Sequence, residues 1–225
     1  MVGMSAVVLV TDFDTPLGGE LARRLRAAGN TVVATRSGSE KKEAPAAQEE
    51  SLLILDWNRK SPISTRNVIL TALNRFDRID EALVLEVPGV ERKLLHETSY
   101  QSIEAAVDQW VKGSLFLIKE LLEVFQRARA GVLALVHYSQ PEAGGVFPPL
   151  EAALRGSFQA LAQSLFSSYN QEYLYLNGFE STSSQCQEFA EFLLGTLNER
   201  GRRVSGKWFR FQLKTGLLSA LKSFR

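Results

Sequence analysis

Short apolar runs of strand length alternate with longer stretches of helical spacing along almost the whole chain. Strands that are apolar on both faces are typical of a parallel sheet covered by helices on both sides. The sequence therefore predicts an α/β fold with a doubly wound, mainly parallel, seven-stranded sheet. The predicted strands are residues 6–11, 31–35, 52–55, 82–85, 132–136, 173–176 and, less buried because aromatic and polar residues alternate, 207–213.

The predicted helices are recognised by apolar residues at intervals of three and four. The first contains Leu17, Leu21 and Leu25 and ends at Gly29; later ones span 103–125, 150–166 and 188–197. We interpret residues 1–225 as one domain with a polar, mobile loop at 37–51 and a C-terminal tail helix at 214–225.

The composition excludes several classes of function. A net charge of +1, with 45% hydrophobic and 23% charged residues, gives no broad attraction to nucleic acid or anionic lipid, so we expect neither partner. The single cysteine, Cys186, excludes an internal disulfide and a multi-cysteine metal site. His96 and His137 lack ligand spacing, so we expect no metal site. A start without signal-peptide features favours a cytoplasmic protein with no membrane association.

Four segments occur in an order and spacing that resemble the short-chain dehydrogenase/reductase family over nearly the whole chain. They are VTDFDTPLGG at 10–19, RIDEALVL at 78–85, LRGSFQALAQSL at 154–165 and VSGKWFRF at 204–211. The resemblance implies a Rossmann-like fold that holds NAD(P) at the first helix and oxidises or reduces alcohols and carbonyls.

The resemblance breaks down at the glycine loop. The family carries Thr-Gly-x-x-x-Gly-x-Gly, or Thr-Gly-x-x-Gly-x-x-Gly, so that backbone amides approach the pyrophosphate. Here Thr11 and Gly18 match, but Asp12 replaces the first glycine and Pro16 or Thr15 the second. Like charges about 5 Å apart at an effective dielectric of ~20 repel by roughly 3 kcal/mol, which predicts weak phosphate binding. We favour the alternative of a ligand-free helix start, capped by Asp14 or Thr15, with Pro16 first.

The family's catalytic Asn, Ser, Tyr and Lys fall by spacing on Trp110, Ser139, Glu151 and Arg155. Only the serine matches. A neighbouring Arg155 would keep Glu151 ionised and unable to donate a proton, and their spacing favours an ordinary ion pair on the helix surface. Tyr138 could stand in for the missing phenol, but on an extended segment it should face away from Ser139.

Two further positions keep cofactor binding open. Arg36 is similar to the basic residue with which family members prefer the 2′-phosphate of NADP, and Asp56 is similar to their adenine contact. The alternative is that Arg36, Lys41 and Lys42 form a solvated face and that Asp56 caps the next segment. We therefore expect no cofactor or weakly bound NADP(H).

The helices at 103–125 and 150–166 carry more apolar surface than one side of a sheet needs, so we expect a homodimer through them. The alternative is that an unknown protein partner covers this surface. Two functions compete: a binding or assembly module with lost or strongly altered catalysis, or a divergent NADP-dependent oxidoreductase. In the second, Ser139 would act with Tyr138 or Glu151 on an unknown carbonyl or alcohol.

Overall fold

The computed structural model of the chain describes residues 5–37, 50–89, 91–140, 145–170, 173–199 and 204–212. Seven strands alternate with helices in chain order. The strands are β1 (Val7–Val10), β2 (Thr31–Ser37), β3 (Leu52–Trp57), β4 (Glu81–Glu86), β5 (Gly131–Tyr138), β6 (Leu174–Ser181) and β7 (Trp208–Phe211). They form one sheet in the order β3-β2-β1-β4-β5-β6-β7, and every neighbouring pair is parallel. The predicted α/β, doubly wound arrangement is confirmed.

Helices cover both faces of this sheet. They are α1 (Pro16–Ala27), α2 (Pro62–Phe76), α3 (Tyr100–Ala106), α4 (Gly113–Ala128), α5 (Pro149–Ser168) and α6 (Cys186–Asn198), with a short 3-10 turn at Leu95–Glu97. One core lies between the sheet and α2, α4 and α5, and includes Leu121 and Phe158. The other lies under α1 and α6 and includes Leu21 and Phe189. The order of the strands reverses at β1, which places a crevice at the carboxyl ends of β1 and β4.

The long helix predicted at 103–125 is not a regular α-helix. A π-helical segment, Val107–Lys112, joins α3 to α4. It carries Trp110, whose side chain is buried against Leu150 and Leu154 at the start of α5. Periodicity alone does not reveal such an interruption, because apolar residues continue on both sides of it.

Strand β6 extends five residues beyond its predicted end, from Leu174 to Ser181 rather than from 173 to 176. The apolar run stops at Asn177 and Gly178, yet both belong to the strand. The missing side chain at Gly178 makes room for the ring of Trp208 on β7, where a Cβ would collide with it. The predicted lower burial of β7 is confirmed: its four residues are half-buried or exposed.

The first helix begins as the preferred sequence interpretation predicted. Thr15 is the N-cap: its hydroxyl accepts a hydrogen bond from the Gly18 amide at 3.1 Å, and Pro16 occupies the first helical position. Asp14 instead accepts from the Ser37 amide at 3.4 Å. Gly18 lies so close to the preceding loop that a Cβ would collide with the carbonyl oxygen of Asp12.

Two predicted segments lie outside the described residues. The loop expected at 37–51 is described only at Ser37 and at residues 50 and 51, and the tail helix expected at 214–225 lies wholly outside. Within the described ranges, no helix is long and apolar enough to cross a membrane.

We expect Gly18→Ala to lower the free energy of unfolding by about 2 kcal/mol or more. The new methyl group would collide with the backbone of Asp12 and push the loop away from the first turn of α1. Urea unfolding followed by circular dichroism measures this. The matched control is Gly156→Ala on α5, where a Cβ meets nothing within 4 Å and stability should rise by up to ~1 kcal/mol. Equal stability of the two variants would contradict the close packing at Gly18.

Candidate functional site

A cluster of buried polar residues lies at the carboxyl ends of the central strands. Asp12 follows β1, Arg59 follows β3, Glu86 ends β4, and Ser139 follows β5. His137 is the penultimate residue of β5. Burying charged groups is costly unless each is paired, so the partners of these side chains decide what the site can do.

Asp12 is paired with a cation that the sequence interpretation missed. Its carboxylate accepts a hydrogen bond from the Arg59 guanidinium and another, at 3.0 Å, from the Thr11 hydroxyl. The Thr11 hydroxyl in turn accepts from the Leu85 amide at 2.8 Å, and Arg59 donates to the Leu85 carbonyl at 2.9 Å. The expected unopposed charge on Asp12 is therefore wrong, because Arg59 neutralises it. Burial raises the pKa of Asp12, and the charge of Arg59 opposes that shift.

The Arg59 guanidinium lies over two tryptophan rings. Its guanidinium carbon lies 4.4 Å from the centre of the Trp57 ring and 4.5 Å from that of Trp110. Such stacking suits the planar, weakly hydrated guanidinium. Gly113 allows the approach, since a Cβ there would lie 2.7 Å from the Cβ of Arg59. Trp110 stands where the resemblance placed the family's asparagine, so this position packs against a cation.

The backbone of the glycine-loop segment is largely engaged by the chain itself. The Gly18 amide donates to the Thr15 hydroxyl, and the Gly19 amide donates to the Thr15 carbonyl at 3.0 Å. Pro16 has no amide hydrogen to offer. Asp12 has a φ of +55°, a left-handed conformation that the family's glycine would adopt without strain. Fewer donors are therefore left for a phosphate than at an open helix N-terminus.

A second polar chain runs through Glu86, His137 and Ser139. The Glu86 carboxylate lies 3.0 Å from Nδ1 of His137, and the Ser139 hydroxyl lies 3.3 Å from Nε2. Burial raises the pKa of Glu86, while the hydrogen bond from His137 opposes the shift. The sequence interpretation considered His137 only as a metal ligand. The signal that it missed is the i, i+2 spacing of His137 and Ser139, which places both side chains on one face of a strand.

The ion pair predicted between Glu151 and Arg155 is wrong. Glu151 is buried, and the Arg155 guanidinium lies 3.5 Å from the Glu180 carboxylate on β6 instead. Arg155 also stacks over the Phe147 ring at 4.8 Å. An i, i+4 spacing cannot distinguish a surface pair from two residues that face the sheet, which explains the error.

Tyr138 faces away from Ser139, as predicted. Its ring stacks on Phe189 of α6 with ring centres 5.8 Å apart, in the core on the opposite side of the sheet from His137. Burial raises the pKa of the Tyr138 phenol. Because the phenol lies on the wrong side of the sheet, Tyr138 is poorly placed to replace the proton donor.

Arg36 and Asp56 are bonded to each other across the ends of β2 and β3. The Arg36 Nε donates to the Asp56 carboxylate at 2.7 Å, and the Arg36 side chain is only 18% exposed. The predicted solvated face is therefore wrong for Arg36, and the N-cap of α2 is Ser61 rather than Asp56. A cavity of 260 Å³ opens beside them, lined by Asp12, Arg36, Ser37, Trp57, Asn58, Arg59, Lys60 and Gln109. Its volume is below the usual range of roughly 300–1,000 Å³ for ligand pockets.

Among the described residues, no cluster of three or more His, Cys, Asp or Glu side chains could hold a metal ion. Arg36, Lys41 and Lys42 were predicted to form one solvated face. Both lysines lie outside the described residues, so only Arg36 of this group can be placed.

Solved structures of other proteins share this architecture, whereas comparisons of the sequence find no match. No family model matches the sequence, and no curated protein matches it. Solved structures do. A 3-ketoacyl-(acyl-carrier-protein) reductase from Brucella melitensis, solved in complex with NADH, superposes with a TM-score of 0.76 at 13% identity, covering 91% of this chain and 96% of that one. A short chain dehydrogenase from Bacillus anthracis gives a TM-score of 0.76 at 13% identity, covering 92% and 95%. The chain has the short-chain dehydrogenase/reductase fold.

Within this fold, the positions that the resemblance assigned to catalysis gather at one end of the sheet. Trp110 packs on the beginning of α5, which carries Glu151 and Arg155. Burial raises the pKa of Glu86, and the charge of Arg155 on α5 is among the charges that oppose this rise. The side chains at these positions form internal ion pairs, hydrogen bonds and apolar contacts.

We expect Arg59→Met to lower the free energy of unfolding by roughly 3–5 kcal/mol at neutral pH, because it leaves the buried Asp12 carboxylate unpaired. The deficit should shrink under acidic conditions, where a protonated Asp12 carries no charge. Chemical denaturation over a series of pH values measures both effects.

The control is Arg23→Met on α1, which removes an exposed partner of Glu20 and should leave stability nearly unchanged. If Arg59→Met behaved like this control, Arg59 would not neutralise a buried charge.

Proposed function

We propose that this chain is a short-chain dehydrogenase-like protein whose redox catalysis is lost or strongly altered and that it works as a binding or assembly module. The observation that carries the proposal is the Asp12–Arg59 pair enclosed by Trp57 and Trp110. It lies at the crevice where doubly wound proteins bind their ligands, and the chain's own side chains fill that position.

The residues that would move a proton support the same proposal. Glu151 and Trp110 stand at the positions of the family's tyrosine and asparagine, and both are buried. Arg155, at the position of the lysine, is held by Glu180 and Phe147. Only Ser139 keeps the family's residue type. A hydride transfer to a carbonyl needs a proton donor for the resulting alkoxide, and Tyr138 lies on the other side of the sheet.

For the cofactor, we propose none or weak binding of NADP(H). The 260 Å³ cavity beside Arg36 and Lys60 offers positive charge at the ends of β2 and β3, which favours a phosphate-bearing group. The Brucella melitensis reductase was solved with NADH, but this cavity is small for a whole dinucleotide. The competing function, a divergent NADP-dependent oxidoreductase acting on a carbonyl or alcohol, rests on this cavity and on Ser139, with Glu151 as the remaining acid.

A thermal-shift titration with NADPH, NADH, ATP and AMP separates the two functions. A Kd of about 10 µM would stabilise the protein by about 2.7 kcal/mol at ~1 mM ligand. We expect no measurable shift with any of the four compounds. A clear NADPH-specific shift that Arg36→Ala removes would contradict the proposal. So would turnover of simple carbonyl compounds with NADPH that Ser139→Ala abolishes.

We also propose that the assembly is a homodimer through α4 and α5. A groove of 470 Å³ runs between these helices, with an apolar lining that includes Leu115, Leu122 and Leu165. Leu115 is 44% exposed, whereas the other leucines of α4 are buried. A second copy that packs its own α4 and α5 here would remove this apolar surface from water.

We expect the full chain to behave as a dimer at micromolar concentration in size-exclusion chromatography with light scattering, and Leu115→Lys to convert it to a monomer. The matched control is Leu70→Lys on α2, since Leu70 is 45% exposed and lies away from the groove. A monomeric parent protein, or equal effects of the two variants, would argue against this interface.

A further inference from the structure

The chain of Glu86, His137 and Ser139 has no role in the proposed binding function, yet its geometry is that of an activated nucleophile. We propose that Ser139 is a nucleophile, with His137 as its general base and Glu86 as the residue that positions His137, and that this site hydrolyses carboxylic esters. The inference does not depend on nucleotide binding and concerns a different reaction from hydride transfer.

The two hydrogen bonds define the roles of the imidazole nitrogens. Glu86 lies 3.0 Å from Nδ1 of His137, and both side chains are 1% exposed. An ionised Glu86 accepts the Nδ1 proton and so leaves the lone pair on Nε2. That lone pair faces the Ser139 hydroxyl at 3.3 Å, within reach of the proton to be removed. The arrangement of nucleophile, base and orienting acid is the one that activates serine in unrelated folds.

The solvent exposure of the three side chains indicates which of them can contact a substrate. Glu86 and His137 are almost completely buried, whereas Ser139 is 8% exposed. Ser139 follows the last residue of β5 and therefore lies at the carboxyl edge of the sheet, where ligands of doubly wound proteins bind. Of the three groups, Ser139 is therefore the one nearest to solvent.

Two guanidinium groups, those of Arg59 and Arg155, lie close enough to the polar chain to act on Glu86. Burial raises the pKa of Glu86, and the hydrogen bond from His137 and the charges of Arg59 and Arg155 oppose that rise. Within the described chain, Nε of Arg155 and Nη1 of Arg59 are buried and have no hydrogen-bond acceptor. Unpaired buried donors are rare in folded proteins, so both guanidinium groups retain unused hydrogen-bonding capacity close to the polar chain. Oε1 of Glu86 is likewise buried without a donor.

The proposed reaction uses only an ester and water. The Ser139 oxygen attacks the carbonyl carbon while its proton moves to Nε2 of His137, and the carbonyl electrons form an oxyanion. When the carbonyl is restored, the carbon–oxygen bond to the alcohol breaks, and Nε2 returns the proton to the alcohol. Water then attacks the acyl-serine, loses its proton to Nε2, and releases a carboxylic acid as the Ser139 oxygen recovers that proton. No oxidant or reductant takes part.

The test uses the full chain without nucleotide. A fluorophosphonate probe reports an activated serine, because the serine oxygen displaces fluoride from phosphorus and its proton passes to the base. We expect one modified residue, Ser139, located by peptide mass spectrometry. Ser139→Ala should abolish the labelling, and His137→Gln should slow it on the order of 100-fold or more. Hydrolysis of p-nitrophenyl acetate should fall in parallel.

The variant Glu86→Gln tests whether Glu86 positions His137 for catalysis or only contributes to the stability of the fold. An amide stabilises a protonated imidazole less than a carboxylate does, so the acid limb of the rate–pH profile should move to lower pH while the rate falls. The matched control is Ser181→Ala, which removes a buried serine at the same edge of the sheet, beside Tyr138. This control should label at the parent rate, and melting temperatures show which variants remain folded.

Three results would overturn the inference: no labelling of the folded parent protein, labelling at another residue, or labelling of Ser139 at an unchanged rate in folded His137→Gln and Glu86→Gln. In the last case the serine would be accessible but not activated. Each of these results leaves the proposed binding function intact, because that proposal is tested by nucleotide titration and light scattering.

Discussion

The ion pair between Asp12 and Arg59 is the interaction on which the carboxyl edge of this sheet depends. It joins the loop after β1 to the loop after β3, and the Leu85 carbonyl ties β4 to the same guanidinium. A charged pair at this depth is stabilised by further contacts that compensate for lost hydration. Trp57 and Trp110 provide such contacts through their rings. Residues from four separate segments of the chain therefore contact one buried guanidinium.

Doubly wound proteins bind their ligands at this same edge of the sheet. In an open dinucleotide site, helix amides and glycines receive phosphate oxygens from outside. Here the Asp12 carboxylate is a negative group supplied by the chain, and it binds an internal guanidinium. The capped first helix and the close approach at Gly18 lie at the same edge of the sheet.

Sequence reasoning predicted the sheet and most helices because apolar runs and helical periodicity report burial directly. It also predicted the helix start at Thr15 and Pro16, where the capping signal is local. It failed where the deciding contact is distant in sequence. Arg59 lies 47 residues from Asp12, and Glu86 lies 51 residues from His137, so neither pairing leaves a local pattern. Arg155 was misassigned for the same reason, since its partner Glu180 belongs to another strand.

The π-helical segment at Val107–Lys112 has a consequence for how this chain tolerates change. Such a segment holds one residue more than an α-helical turn would, so it shifts the angular phase between α3 and α4 by about 100°. Deleting one residue there would restore a continuous helix but rotate Leu117, Leu121 and Phe125 away from the sheet. The extra residue therefore sets the rotation of α4 relative to the π-helical segment. With this rotation, Trp110 contacts Arg59 while the apolar residues of α4 face the core.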